Sequence, residues 1–320
     1  MSVRPTLPFP DPGNFRVNPV KILFGVIGLV VAVAALAESA HLEQDRPDVL
    51  AELPGSAVGT VPLSPVAQWM LDRSSGGLRG GGVKRFSQAL LLTAPADLTQ
   101  DLLVRGLQVL LDRHGMLRAR LVESDRVMEV LPPGSISAEG LIHRVAVDSV
   151  DDEGFRALAS GELEAVADSL DPATADMVRV IWFDLADKPD VSTGRGRLLV
   201  VIHHLVVDGV SWRIILEDLA RAGIAAMNGD EPALAPVGTS VRRYAELVSD
   251  AVGAGRLDSE IEFWDSVTSA QRASLGRRAL DPAVDLARTA AARSITLPPE
   301  LADQLLGSVP RAFGADVSEV

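Results

Sequence analysis

The stretch "RLLVVIHHLVVDGVSW", residues 197–212, decides how this chain folds. Leu198 to Ile202 are all apolar, and a short apolar run bounded by turn residues reads as a strand buried on both faces. His203 and His204 close that run, in a chain with only five histidines. Asp208 and Gly209 follow, and "SWRIILEDLARAGIAAMNG" then has the helical period, starting near Ser211 and ending near Gly229. Upstream, "MVRVIWFDLA" (177–186) is a second β-branched run. The polar "DKPDVSTGR" joins the two as an antiparallel hairpin with a long loop would.

In a strand, successive side chains point to opposite faces, so His203 and His204 cannot converge on one metal ion. Leu205, Val206 and Val207 prolong the strand in this reading, and Gly209 turns the chain. One imidazole then enters the packing and the other faces a cleft. There a neutral ring with a pKa near ~6.5 can take or give a proton at neutral pH. Asp208 can accept either an arginine or the first N–H groups of the following helix, and both roles are structural. From these residues alone, two satisfied core histidines are the plainer reading.

The whole chain bounds the chemistry further. Its net charge of −13 gives a phosphate backbone no attraction, which sets nucleic acid aside. With no cysteine there is no disulfide, thiol nucleophile or cysteine-ligated metal, which fits a reducing, cytoplasmic compartment. The Gly-rich "SSGGLRGGGVKR" (74–85) lacks the Gly-Lys-Ser/Thr ending of a phosphate cradle, and no bound cofactor is expected. Residues 22–37, "ILFGVIGLVVAVAALA", carry no charge. They read as a buried apolar helix, with a signal or membrane anchor as the alternative, since they fall short of the roughly 20 residues that span a bilayer.

Three divisions follow. Residues 1–55 hold a Pro-rich leader, the apolar helix and a linker ending near Val61; residues 56–235 form a first lobe; residues 236–320 are a connector and the start of a second lobe. In the first lobe, "LSPVAQWMLDR" (63–73) is a short helix capped by Ser64, and "FSQALLLTA" (86–94) a buried strand. "DLTQDLLVRGLQVLLDRHG" puts Leu103, Leu107, Leu110 and Leu111 on one helical face, with Gly115 as its C-terminal cap, and "MLRARLVE" follows as a strand. "DDEGFRALASGELEAVADSL", "SVRRYAELVSDAV" and "LDSEIEFWDSV" are helical. "LADQLLGSVPRAFGADVSEV" is an amphipathic helix and the start of another.

"HHLVVDG" resembles the His-His-x-x-x-Asp-Gly signature of the condensation-domain superfamily of non-ribosomal peptide synthetases. In the same order, "LSPVAQWM" resembles the family's opening Pro-Ile-Gln-x-Trp-Phe motif, with Ala67 and Met70 as departures. "FSQALLL" resembles its first strand and "RHGMLRARL" its Arg-His-x-x-Leu-Arg motif. "HHLVVDGVSWRIILEDL", "EFW", "LDPAVD" and "VPRAFGADVSEV" are most similar to the epimerization branch.

The resemblance implies an α/β fold like that of chloramphenicol acetyltransferase, a mixed sheet packed with helices, with the second lobe incomplete at Val320. It implies that His204 is the acid/base, supported by His203, Asp208, Gly209, Ser211 and Trp212, with Arg118 or Arg113 as the partner of Asp208. It also implies an aminoacyl or peptidyl substrate carried on the phosphopantetheine of a partner carrier domain. The facing Glu of epimerization domains would lie beyond Val320, or on a neighbouring chain that supplies the missing lobe. The alternatives are an acyltransferase of the same superfamily, an inactive lobe that docks a carrier, or a gene fragment. Residues 22–37 would then be the last helix of a preceding carrier; membrane association through them is not favoured.

Overall fold

The computed structural model describes residues 57–73, 83–147, 151–185, 196–269 and 295–316, with Glu52, Gly55 and five positions between 278 and 291. The expectations for residues 22–37 and for the Gly-rich 74–82 lie outside the described residues. Among the described residues no helix is long and apolar enough to cross a membrane. The described residues fall into two units, one within Ile22–Ala270 and one at Gln271–Val320.

The larger unit is organised by four strands in the order β2, β7, β6, β5: Ser87–Ala94, Gly196–His203, Val178–Asp184 and Ile142–Ala146. β7 lies inside the sheet, antiparallel to β2 along one edge and to β6 along the other, and β5 joins β6 in parallel. The hairpin of β6 and β7 is therefore as the sequence predicts. The strand ends at His203, however, and not at Val207: the N–H of Val206 turns back to the His203 carbonyl at 3.1 Å.

Strand alternation assigns the two faces of this sheet. Val178, Val180, Leu198, Val200 and Ile202 pack under α2 (Gln100–Arg113) and α4 (Gly209–Met227), which bury Leu103, Leu107, Trp212 and Ile215. On the opposite face, α3 (Asp152–Ser169) sets Phe155 edge-on against Phe183 of β6. A residue on β7 with an even number thus looks towards α4, and one with an odd number towards α3.

A second sheet has the order β1, β4, β3, built from Gly59–Pro62, Val127–Val130 and Ala119–Val122, all antiparallel. It corrects the reading of residues up to Val61 as linker, since Gly59–Pro62 is a strand. Gly115 does not cap α2: His114 ends the helix, and Gly115–Arg118 is a 3-10 turn leading into β3. α1 (Pro65–Arg73) begins after Ser64, as predicted.

The boundary expected at 235/236 falls inside the larger unit, because α5 (Val241–Gly253) docks on β1. Arg242 Nε donates to the Thr60 carbonyl at 3.1 Å, and Ser240 Oγ donates to Glu52 at 3.1 Å. α6 (Asp258–Ser269) follows. In the smaller unit, α7 (Pro299–Asp303), a π-helical turn (Gln304–Ser308) and α8 (Val309–Phe313) run on until Gly314 takes a left-handed conformation. Pro310 has no N–H to return to the preceding turn, which accounts for the local change of helical register. One interrupted helix therefore stands where a helix and the start of another were expected.

Candidate active site

The two histidines part company at the end of β7. His203 belongs to the odd face and is completely buried; its Nε2 donates to the Val83 carbonyl at 2.8 Å, and its Nδ1 accepts the Leu205 N–H at 3.2 Å. Both ring nitrogens are thus used, and burial pushes the imidazole pKa down to about 4. His203 is a neutral structural group at pH 7.

His204 is half-buried and lies on the even face, towards α4. Its N–H donates to the Phe86 carbonyl at 2.7 Å, extending the pairing of Ser87 with His203 by one residue. Cross-strand neighbours share a face, and the Phe86 and His204 rings stack with centroids 4.5 Å apart and planes 10° apart. Gln88, two residues along β2, is on the same face, and its Nε2 is 2.9 Å from His204 Nε2. Trp212, buried in the first turns of α4, donates its Nε1 hydrogen to Gln88 Oε1 at 2.8 Å.

Asp208 is the N-cap of α4. Its Oδ1 accepts the N–H of Val210 at 3.0 Å, the N–H of Ser211 at 2.7 Å and the Ser211 hydroxyl at 2.7 Å. These bonds favour the charged carboxylate and hold its pKa below the usual aspartate value. The expected ion pair with Arg118 or Arg113 is not formed among the described residues. Arg118 is buried and donates to the Leu131 carbonyl at 3.1 Å, the Asp112 carbonyl at 2.9 Å and the Leu111 carbonyl. It thereby satisfies the C-terminus of α2, whose exposed carbonyls carry partial negative charge. Arg113 has Nε and Nη1 buried without a hydrogen-bond partner among the described residues. The helix cap is the alternative that the sequence itself allows for Asp208, and it is the one realised.

Gly209 opens α4, earlier than the expected start at Ser211, and a Cβ placed on it would meet no atom of the described residues within 4 Å. Its space beside the cap is open, so packing does not demand a glycine there. The structure therefore gathers His204, Asp208, Gly209, Ser211 and Trp212 around one strand-to-helix turn, buries His203 behind it, and leaves Arg118 in a separate carbonyl cage. Sequence reasoning passed over Phe86 and Gln88. The available signal was a long polar amide, Gln88, immediately before the apolar Ala89–Leu92 of β2.

A family model described as Condensation domain matches residues 58–312, and the chain belongs to that family. Chondramide synthase of Chondromyces crocatus is 29% identical over 303 residues, spanning 90% of this chain and 7% of that synthase. Tyrocidine synthase 1 of Brevibacillus parabrevis is 24% identical over 269 residues, spanning 83% of this chain and 23% of that protein. The chain thus spans only a small part of the length of these relatives. Among solved structures, the epimerization domain from the third module of tyrocidine synthetase B aligns with a TM-score of 0.56 and 22% identity, covering 70% of this chain and 48% of that one. The condensation domain of the Monacolin K polyketide synthase aligns with a TM-score of 0.53 and 16% identity, covering 81% of this chain and 57% of that one. The fold is accordingly the chloramphenicol-acetyltransferase-like α/β fold expected from the sequence.

Proposed function

We propose that this chain is an epimerization- or condensation-like domain of non-ribosomal peptide synthesis, with His204 as its acid/base. The observation that carries the reading is the separation of the two histidines: His203 has both nitrogens bonded inside the core, whereas His204 is half-buried at the mouth of the strand-to-helix turn. Its substrate is an aminoacyl or peptidyl group joined as a thioester to the phosphopantetheine of a carrier domain, and its compartment is the cytoplasm where such carriers work. Epimerization removes the weakly acidic Cα proton of that thioester and returns one from the other face, so it takes two groups. His204 is one of them.

The test loads a carrier with an L-aminoacyl thioester in deuterated buffer and follows Cα deuterium uptake with the purified chain. Uptake above the carrier-only rate that disappears in His204→Ala is the expected result. Uptake unchanged by that substitution overturns the assignment of His204. Adding a second, aminoacyl-loaded carrier separates the condensation reading, whose product is an amide-linked dipeptidyl carrier.

A further inference from the structure

We propose that Gln88 is a positioning residue that selects the tautomer of His204, and that Trp212 fixes Gln88 for this purpose; the functional consequence rests on the reading of His204 given above. The indole sets the direction of the whole chain of bonds. Trp212 Nε1–H can only donate, so the Gln88 atom 2.8 Å away must be the carbonyl oxygen Oε1. The amide nitrogen is then the group 2.9 Å from His204 Nε2. An amide nitrogen only donates, so Nε2 must be the accepting, unprotonated nitrogen, and the ring proton of neutral His204 resides on Nδ1. The opposite tautomer would bring an Nε2 hydrogen against an amide hydrogen.

The fold enforces each link. Gln88 pairs with Ile202 across the β2–β7 ladder, Phe86 stacks on the imidazole two residues away on the same face, and Trp212 is buried. The ring plane and the amide plane are thus set by neighbouring residues of β2 and its extension, and the donor that orients the amide by α4. The consequence is that Nε2 is kept as the basic nitrogen. A substrate proton bound for Nε2 must first displace the amide hydrogen of Gln88, so Gln88 holds the lone pair in place without neutralising it.

The experiment is two-bond 15N–1H correlation spectroscopy of the 15N-histidine-labelled full chain at neutral pH, with His204 assigned by its loss in His204→Asn. In the unsubstituted chain, Nε2 of His204 should give the signal of an unprotonated ring nitrogen and Nδ1 that of a protonated one. Gln88→Glu replaces the donor by an acceptor of the same shape that can still receive the Trp212 hydrogen, and should protonate Nε2. Trp212→Phe leaves Gln88 free to turn over, and should lower the population of the Nδ1–H form. A protonated Nε2 in the unsubstituted chain, or an unprotonated Nε2 in Gln88→Glu, overturns the proposal; should Gln88→Glu fail to fold, an unaltered tautomer in Trp212→Phe does so. The readout needs no turnover, so it stands or falls apart from the deuterium-exchange test of His204.

Discussion

Phe86 and His204 face each other across the end of the β2–β7 ladder, their rings parallel to within 10° and 4.5 Å apart. β7 ends one residue earlier, so this contact, together with the Gln88 amide 2.9 Å from Nε2, sets the plane of the half-buried imidazole.

Replacing Phe86 by Leu keeps an apolar side chain but removes the ring face. Phe86 is 44% exposed, so global stability should change by less than about 1 kcal/mol. Losing a stacking contact of about 0.5–1.5 kcal/mol should slow His204-dependent Cα exchange by up to roughly tenfold. The check is the exchange rate beside the urea midpoint. A large stability loss with an unchanged rate would assign Phe86 to packing alone.

Asp208→Ala should cost about 1 kcal/mol, the value of an exposed N-cap and well below that of a buried ion pair. Asp208→Asn should recover most of it. The folded pKa of Asp208 lies below its unfolded value, so the charged form's contribution is present above the unfolded pKa and is lost as pH falls through the folded one. Thermal unfolding of the two variants at neutral pH is the measurement; a loss of several kcal/mol in Asp208→Ala would point to a partner other than Val210 and Ser211.

His203 makes the fold sensitive to acid. With the folded imidazole pKa at about 4 against 6.5 unfolded, only the unfolded chain gains this proton between those values. Stability is therefore complete above pH 6.5 and falls, by on the order of 3 kcal/mol, as pH drops towards the folded pKa. Urea unfolding at pH 7.5 and pH 5 should show roughly half of this loss or a little more in the natural chain, and a smaller one in His203→Gln. Equal losses in both would remove His203 as the cause.

Gly196 begins β7 with φ at +135°, and a Cβ there would stand 1.9 Å from the Phe183 carbonyl oxygen. Gly196→Ala should destabilise by at least about 2 kcal/mol. Gly134, with φ at +78° and open space around it, provides the comparison. Its alanine variant should cost roughly 1 kcal/mol from backbone conformation alone. Similar unfolding midpoints for the two variants would mean that the strand shifts to accept the methyl group.

The sheet's centre was legible because β6 and β7 are short apolar runs rich in β-branched and aromatic residues. β1 and β5 escaped because "GTVP" and "IHRVA" are short and pair only with strands distant in sequence, and "VMEV" of β4 because four residues are too few to show a period, although its partner β3 is adjacent. That one histidine would enter the core and the next leave it was legible from strand alternation, and the helix cap at Asp208 was one of the two structural roles its position allowed. The end of β7 was misplaced since Leu205, Val206 and Val207 are as apolar as a strand, and only the turn at His203 reveals otherwise. Gln88 was silent for a different reason: a polar residue near the start of a strand acquires its purpose only when register sets it beside Ile202 and α4 brings an indole to its oxygen.

The interior position of β7 has a consequence for how the turn moves. The amide hydrogens of His203 and His204 are bonded to the carbonyls of Met177 and Phe86, on the two sides that flank β7. Freeing either means parting the central strand from a neighbour, so both should exchange with solvent only through openings close to global unfolding. A few residues on, the exposed Val210 and Ser211 amides rest on one carboxylate and can fray within the native state. The motif thus straddles a boundary of rigidity, with His204 on the slow side and the first turn of the helix on the fast one.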